Sequence, residues 1–556
     1  HHGKKLAYRA AVNQPVEPNV VLIQVSCIHS GYNFVMPLNL FTWLLSLLPL
    51  LVVMVLMLGL RASGKRASAA GWVSAVLVSL LAFGGTWKVL AYAQVKALWM
   101  SLDVLYIVWG ALLLYNLVHE AGAIQAISAW LPSVSGDKAV QVLLVSWLMV
   151  SFLQGMGGFG VPMAVCAPIL VGMGYSPVLA VVMTAIGHAW AVNFGSMATA
   201  FQALMAVTGL SGAVLAPKAA ILLGLAILPS GMIVAVLGSG WKGLRHTFPL
   251  LCLVSLVMGT VQYVLAVNGL WNLAATTASL AGLLVMLLFL RIPRFRQKPA
   301  ASTQSVPTSE LLVMVSPYLI LMLVGFAVVL IPPLNAFLSR TAFSLTLPEL
   351  STRLGWVTAA EQTRPLHPFS HPGSILVFTV LVSWLIFARK GYLSEGAGRR
   401  IAHNVVRSAG DASLGVIAMV GVAAVMTTSG MTNLLARGLS QNISKTLYPA
   451  MAPFIGVLGA FLTGSNNNSN VLFGVLQMET ARMMGLDVPL VLAAQTAGGS
   501  LGSVMSPAKV IVGCSTVGLS QKEGLVMRRL VLLDLIPVVI VAAVALIWSM
   551  FLGASG

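Results

Sequence analysis

Apolar residues run along this chain in unbroken stretches, not at the every-third-or-fourth spacing of a helix with one face in water. Such stretches occupy residues 40–60, 69–83, 97–118, 217–239, 247–268, 270–290, 310–331, 373–388, 403–428 and 530–553. Most approach or exceed the ~20 residues a helix needs to cross a bilayer. No segment between them is long enough for a sizeable water-soluble domain. Two further regions, 138–210 and 447–519, are as apolar but are repeatedly interrupted by Gly, Pro, Asn and Ser. Backbone that leaves the helix at membrane depth must be buried in protein or line a cavity. Each interrupted region is therefore expected to form a re-entrant hairpin (near 138–173 and 447–484) followed by a broken crossing helix (near 177–209 and 488–519).

Composition supports this pattern. Of 556 residues, 58% are hydrophobic and 8% charged, against roughly 25% charged in soluble domains. The expected fold is an all-α polytopic membrane protein with about 12 crossings, two re-entrant hairpins and two inverted-topology repeats. The net charge of +18 does not indicate nucleic acid, because the basic residues lie in short loops beside the apolar spans, the positive-inside arrangement. Those loops carry Arg61/Lys65/Arg66, Lys242/Arg245, Arg291/Arg294/Arg296/Lys298, Arg389/Lys390/Arg399/Arg400 and Arg528/Arg529. With all five in the cytoplasm, residue 36 and the 332–372 loop fall outside. Cys27, Cys166, Cys252 and Cys514 show no CxxC spacing, so neither a disulfide framework nor a zinc site is indicated. Residues 1–35 begin without Met, lack a signal-peptide layout and change character at Met36; they are expected to be a non-native or upstream extension.

The chain also resembles itself. "FLQGMGGFGVP" at 152–162 matches "FLTGSNNNSNV" at 461–471, with Gly155 and Gly464 separated by 309 residues. Asp103 and Asp411, like Gly122 and Gly430, are 308 apart, and Pro177 and Pro489 are 312 apart. The charge-derived orientation sends residue 97 in from outside and residue 403 in from inside, so the halves are expected to be inverted. The resulting divisions are helices in 36–90, repeat 1 in 91–215, connecting helices in 216–397 (basic loop 291–309), repeat 2 in 398–520 and a last helix in 521–556. Inverted repeats with matching broken helices are a secondary-transporter signature.

The chemistry concentrates at the interruptions. The expected hairpin tips are Gln154–Gly160, containing Gly155, Gly157 and Gly158, and Gly464–Asn470, containing Ser465, Asn466, Asn467 and Asn468. The expected helix breaks are Gly187–Ser196, with His188 and Asn193, and Gly498–Pro507, with Gly499, Ser500, Ser503 and Ser506. Half-helix N-termini present free backbone N–H groups to an anion, and Asn and Ser add neutral donors and acceptors. Lys509 either supplies a positive charge or is held by hydrogen bonds. Asp103, Asp411 and His188 are candidates for proton coupling, since intramembrane ionisable groups are functional candidates by default. Asp103 has no partner nearby in sequence; Arg407 and Asp411 stand at i, i+4 and are expected to pair; Asp534 is expected near the cytoplasmic surface. No activated nucleophile, metal cluster or cofactor motif occurs, so a carrier for a small polar anion is expected. A membrane-embedded enzyme or respiratory-complex subunit is the competing class, although the titratable chain or catalytic pair it requires is missing.

"GFGVPMAVCAPILVGMGYSPVLAVVMTAIGHAWAVNFGSMATA" and "GAFLTGSNNNSNVLFGVLQ", with "GGSLGSVMSPAKVIVGCSTVGL", resemble the two motif regions of the lactate permease family. The resemblance runs from Met36 almost to the end. It implies transport of lactate or glycolate by proton symport across a bacterial inner membrane, with a small carboxylate and a proton as partners, no cofactor, and possible self-association. The chain departs from the family at the first motif, where Gln154 stands in place of an acid, and at His188 and Trp190, where small residues are commoner. A different small organic anion or another coupling cation therefore stays open.

Overall fold

Helix signals in the sequence correspond to helices throughout the computed structural model, which describes residues 37–58, 60, 64–130, 134–157, 160–291, 307–363, 365–519 and 523–554. Residues 1–35, Gly158 and most of the basic loop after Arg291 lie outside these. Leu40–Leu58 (α1) and Gly64–Ala82 (α2) precede the long helix Trp87–Glu120 (α3). Gly122, at φ 76°, turns the chain into Ala123–Trp130 (α4).

Asp137 caps Lys138–Leu143 (α5), its carboxylate accepting the Ala139 N–H at 2.8 Å. The helix continues through a π-helical stretch, Leu144–Met149, into Val150–Gly157 (α6). Gly160, at φ 91°, reverses the chain into Val161–Gly172 (α7). Ser176 and Pro177 start Pro177–His188 (α8), which breaks into short 3-10 turns and resumes as Thr199–Thr208 (α9).

Gly212–Val267 (α10) is a helical hairpin whose chain reverses at Gly240 (φ 68°). Its halves pack so that Gly224 meets Gly259, and the Gln262 amide donates to the Ala220 carbonyl at 3.2 Å. Trp271–Phe289 (α11), Thr308–Leu330 (α12) and Pro332–Leu338 (α13) follow. The segment after α13 then holds two antiparallel pairs, Thr346–Leu347 (β1) with Glu361–Gln362 (β4), and Leu350–Ser351 (β2) with Val357–Thr358 (β3).

The second half contains Pro372–Arg389 (α14), Ala397–Thr428 (α15), Met431–Asn442 (α16), Tyr448–Thr463 (α17), Asn466–Met483 (α18), Val488–Gly502 (α19), Pro507–Thr516 (α20) and Glu523–Ala554 (α21). The order long helix, short helix, helical hairpin, broken helix thus occurs from α3 to α9 and again from α15 to α20. Among the described residues, nine helices are long and apolar enough to cross a membrane, or ten if the bent pair α8–α9 is one span. The molecule is a polytopic helical membrane protein.

Two groups of helices are in contact. In one, α15 packs on α2 and α3, and α14 on α3 and α12. In the other, α17, α18 and α19 pack on one another and on α10 and α21, while α8 packs on α7 and α10. Glycines permit the closest approaches: a Cβ on Gly187 would stand 1.7 Å from the Ser146 carbonyl oxygen, and one on Gly498 1.9 Å from that of Pro453.

The structure corrects several details. Gln154, Gly155 and Gly157 belong to α6, and the first hairpin turns at Gly160. The asparagines from Asn466 to Asn470 form the first turns of α18, leaving only Gly464 and Ser465 between helices. Asp534 is fully buried within the protein, five residues along α21 from Arg529.

Candidate functional site

Each hairpin turn meets the half-helix of the other series. Asn470, in the second turn of α18, donates to the Ala200 carbonyl at the start of α9 at 2.9 Å. Gly160, at the first hairpin's turn, packs against Val512 of α20.

Around the Asn470 contact lies a buried network of neutral polar groups. Thr496 Oγ1, in α19, donates to Asn193 Oδ1 at 2.6 Å and accepts from Asn470 Nδ2 at 2.8 Å. Asn466 Nδ2 donates to Asn193 Oδ1 at 3.2 Å and to the Thr496 carbonyl at 3.3 Å. Ser500 Oγ accepts the Asn193 N–H at 3.0 Å and donates to the Ala189 carbonyl at 2.8 Å. Asn466 Oδ1 presses on Gly499, where a Cβ would stand 2.1 Å away. The glycine thus gives the asparagine its room.

This network leaves polar atoms unused. Among the described residues, Asn193 Nδ2 and Trp190 Nε1 are buried donors with no partner, and Asn466 Oδ1 and Asn470 Oδ1 are buried acceptors with none. His188 Nδ1 lies 2.6 Å from the Thr184 carbonyl. A carbonyl can only accept, so Nδ1 carries the hydrogen and Nε2, also unpartnered, presents a lone pair when the ring is neutral. Buried polar atoms are ordinarily satisfied, so such a concentration marks a place where a ligand's groups would be welcome.

The remaining sequence candidates lie as follows. Ser196 Oγ reaches the Gln154 carbonyl at 3.5 Å, joining the first break to the first hairpin. Lys509 is buried, donating to Ser503 Oγ at 3.0 Å, and Ser503 in turn donates to the Ser500 carbonyl at 2.9 Å. Ser506 caps α20. Asn467 and Asn468 make no hydrogen bond to the network among the described residues. Asp103 lies apart, paired with His371 at 3.0 Å; its partner was invisible in the sequence because it comes from α14's N-terminus. The Asp411 side chain lies outside the described residues, as does Gly158.

Backbone geometry singles out the same break. Ser196, Met197 and Ala198 have φ of 48°, 57° and 59°, three consecutive non-glycine residues in the left-handed region. Each costs about 1–2 kcal/mol, and such strain collects at functional sites.

Sequence reading missed a cleft of about 560 Å³ lined by α3 (Tyr115, Asn116, His119), α15 (Asn404, Arg407, Ser408), Val161 and Ser196. The signal was present as two polar stripes at helical spacing in otherwise apolar helices. A second cleft of about 470 Å³, lined among others by Lys96, Asp103, Glu361, Thr208, Val475 and Glu479, lies at the opposite end of α3.

A helical membrane protein with broken helices converging on buried polar groups has the build of a multi-pass permease. The family model described as L-lactate permease matches residues 42–552. The chain belongs to the L-lactate permease family and is a multi-pass protein of the bacterial inner membrane. It is 26% identical over 541 residues to the glycolate permease GlcA of Escherichia coli (strain K12), covering 91% of this chain and 95% of that protein. It is 27% identical over 518 residues to an L-lactate permease of Salmonella typhimurium, covering 87% and 92%. An L-lactate permease of Bacillus subtilis is 26% identical over 503 residues, covering 84% and 88%. Among solved structures, the YdaH transporter of Alcanivorax borkumensis aligns with a TM-score of 0.43 at 12% identity, covering 80% of this chain and 85% of its own.

Proposed function

We propose that this protein is a secondary active transporter that takes up lactate, glycolate or a closely related small carboxylate by proton symport and alternating access. The observation that carries the reading is the set of unused buried atoms where the first break, the second hairpin and α19 meet. Lactate and glycolate offer a carboxylate, which accepts, and a hydroxyl, which donates. Asn193 Nδ2 and the α9 N-terminus supply donors for the carboxylate, and Asn466 Oδ1 or Asn470 Oδ1 supplies an acceptor for the hydroxyl. Lys509 adds the nearest family-motif cation. His188 and the Asp103–His371 pair are the proton-handling groups in this reading.

The two series of elements are read as inverted repeats. Glu120 pairs with Arg400 at 2.5 Å and Trp109 donates to Ser413 at 2.9 Å, so α3 and α15 lie antiparallel, as inversion requires. Counting α10 as two spans and each broken helix as one gives about twelve crossings plus the two hairpins.

The test is uptake of labelled lactate and glycolate by the purified protein in proteoliposomes. An inwardly directed proton gradient is expected to drive accumulation. Asn193→Ala and Asn466→Ala are each expected to lower the rate by about tenfold or more, the cost of about 1–3 kcal/mol for a lost buried polar contact. Transport of neither acid, or normal rates in both variants, would overturn the reading.

A further inference from the structure

The two clefts do not reach the polar network equally. The cleft between α3 and α15 is also lined by Ser196 and Val161, the strained turn of the first break and the first residue after the hairpin reversal, and Ser196 stands three residues from Asn193 of the network. The opposite cleft's lining residues on α9 and α18 are Ala206, Val207, Thr208, Val475, Met478, Glu479 and Arg482. Val475 lies five residues along α18 from Asn470, and Thr208 eight residues along α9 from Ala200, so this cleft stops roughly 7 Å short along α18 at 1.5 Å per helical residue.

Charge identifies the side to which the α3–α15 cleft opens. Its rim lies at the end of α3 where Glu120 meets Arg400. That is the end carrying Arg389, Lys390, Arg399 and Arg400, the cytoplasmic end by the positive-inside rule. Arg407 stands in the cleft wall, one helical face with Asn404 and Ser408, opposite Tyr115, Asn116 and His119. A guanidinium keeps its charge at any physiological pH and presents a fork of donors that fits a carboxylate. Arg407 is the permanently charged group among the cleft's described lining residues, and charge on low-dielectric walls concentrates counter-ions.

We infer that the structure is the inward-open state, that this cleft is the carboxylate's passage between cytoplasm and central site, and that Arg407 is its binding station on the way. Tyr115 and Asn116 supply further polar contacts for a ligand of one carboxylate and a few carbons. A dicarboxylate would find one cation for two charges and bind less well. The inference rests on the transporter reading above, and its test separates the two.

The probe is a small membrane-impermeant methanethiosulfonate reagent carrying a sulfonate, applied to single-cysteine variants in a background lacking cysteines. In inside-out vesicles, Ser196→Cys is expected to react, and Arg407→Gln in the same protein to slow that reaction at least tenfold. Arg407→Lys is expected to restore most of the rate, and excess lactate to protect the cysteine. Asn116→Cys serves as a second reporter should cysteine not fit the left-handed turn. Val475→Cys is expected to stay unreactive from this face. Absence of reaction at both reporters, or rates indifferent to Arg407→Gln, would overturn the passage. Those reactions need no transport, so a protein that labels as expected yet carries neither lactate nor glycolate fails the functional reading alone.

Discussion

Asp103 illustrates how a single residue changes meaning with its neighbours. Alone in an apolar segment it is an uncompensated carboxylate; in the fold its Oδ1 accepts from His371 Nε2 at 3.0 Å. The tautomer follows from the other ring nitrogen, because His371 Nδ1 accepts the Gly373 N–H at 3.1 Å and so cannot hold a hydrogen. Tyr106 stacks on the imidazole at 5.0 Å between centroids, and among the described residues Asp103 Oδ2 remains buried without a partner. Lys96, Glu361, Glu479 and Arg482 line the same cleft, so the pair sits among charges of both signs. If Asp103 handles the coupled proton, Asp103→Asn keeps the hydrogen-bond acceptor for His371 while removing the group that titrates. Exchange of labelled for unlabelled lactate, which needs no net proton movement, is then expected to persist within about threefold, while gradient-driven accumulation is lost. Loss of both activities together would assign Asp103 to structure instead. The sequence could not disclose the pairing, because the two residues are 268 positions apart.

At the scale of elements, helix ends and interruptions were legible where the chemistry is local. Ser176–Pro177 and Asp487–Val488–Pro489 start broken helices as caps and first-turn prolines do, and the hairpin ranges follow from Gly and Pro positions. The expected first tip, Gln154–Gly160, contains the observed turn at Gly160 but starts too early, for a physical reason. The π-helical stretch Leu144–Met149 shifts the helix register, and Gly155, Gly157 and Gly160 look alike on paper. The turn glycines of the fold are Gly160 and Gly464, 304 apart, where sequence matching aligned Gly155 with Gly464 at 309. Gly155 instead serves packing, since a Cβ there would stand 2.3 Å from Thr276 Oγ1. The same logic gives a stability prediction. Gly187 rests on the Ser146 carbonyl of the first hairpin and Gly498 on the Pro453 carbonyl of the second. Backbone cannot rotate away as a side chain can. Gly187→Ala and Gly498→Ala are each expected to destabilise the detergent-solubilised protein by about 1–3 kcal/mol or more, read as a lowered thermal unfolding midpoint. Gly172→Ala, where a Cβ meets nothing within 4 Å, is the matched control and is expected to leave the midpoint close to that of the parent.

At the scale of the whole molecule, the orientation of the chain in the membrane and the antiparallel placement of α3 and α15 constrain each other. Positive-inside bias puts the turn of α10, with Lys242 and Arg245, and the α14–α15 connection, with Arg389, Lys390 and Arg399, on one side. Continuous helices then carry the 332–371 segment to the other side. That segment is tied to the α2–α3 connection, because the Arg353 N–H donates to the Gly84 carbonyl at 2.7 Å, and Lys96 of α3 pairs with Glu361. One end of α3 therefore belongs with the external loop and the other, through Glu120 and Arg400, with the basic connection. α15 runs antiparallel to α3, since a parallel α15 could not bring Arg400 to Glu120 while Ser413 meets Trp109. Single cysteines at three exposed positions turn this into a measurement: Glu349 in the external segment, Lys242 at the α10 turn and Glu395 in the basic connection. In intact cells an impermeant maleimide is expected to label Glu349→Cys alone, and Lys242→Cys and Glu395→Cys are expected to react only after the membrane is opened. Labelling of Glu349→Cys and Glu395→Cys from the same side would break the single crossing assigned to α14, and with it both the inversion and the inward orientation of the Arg407 cleft.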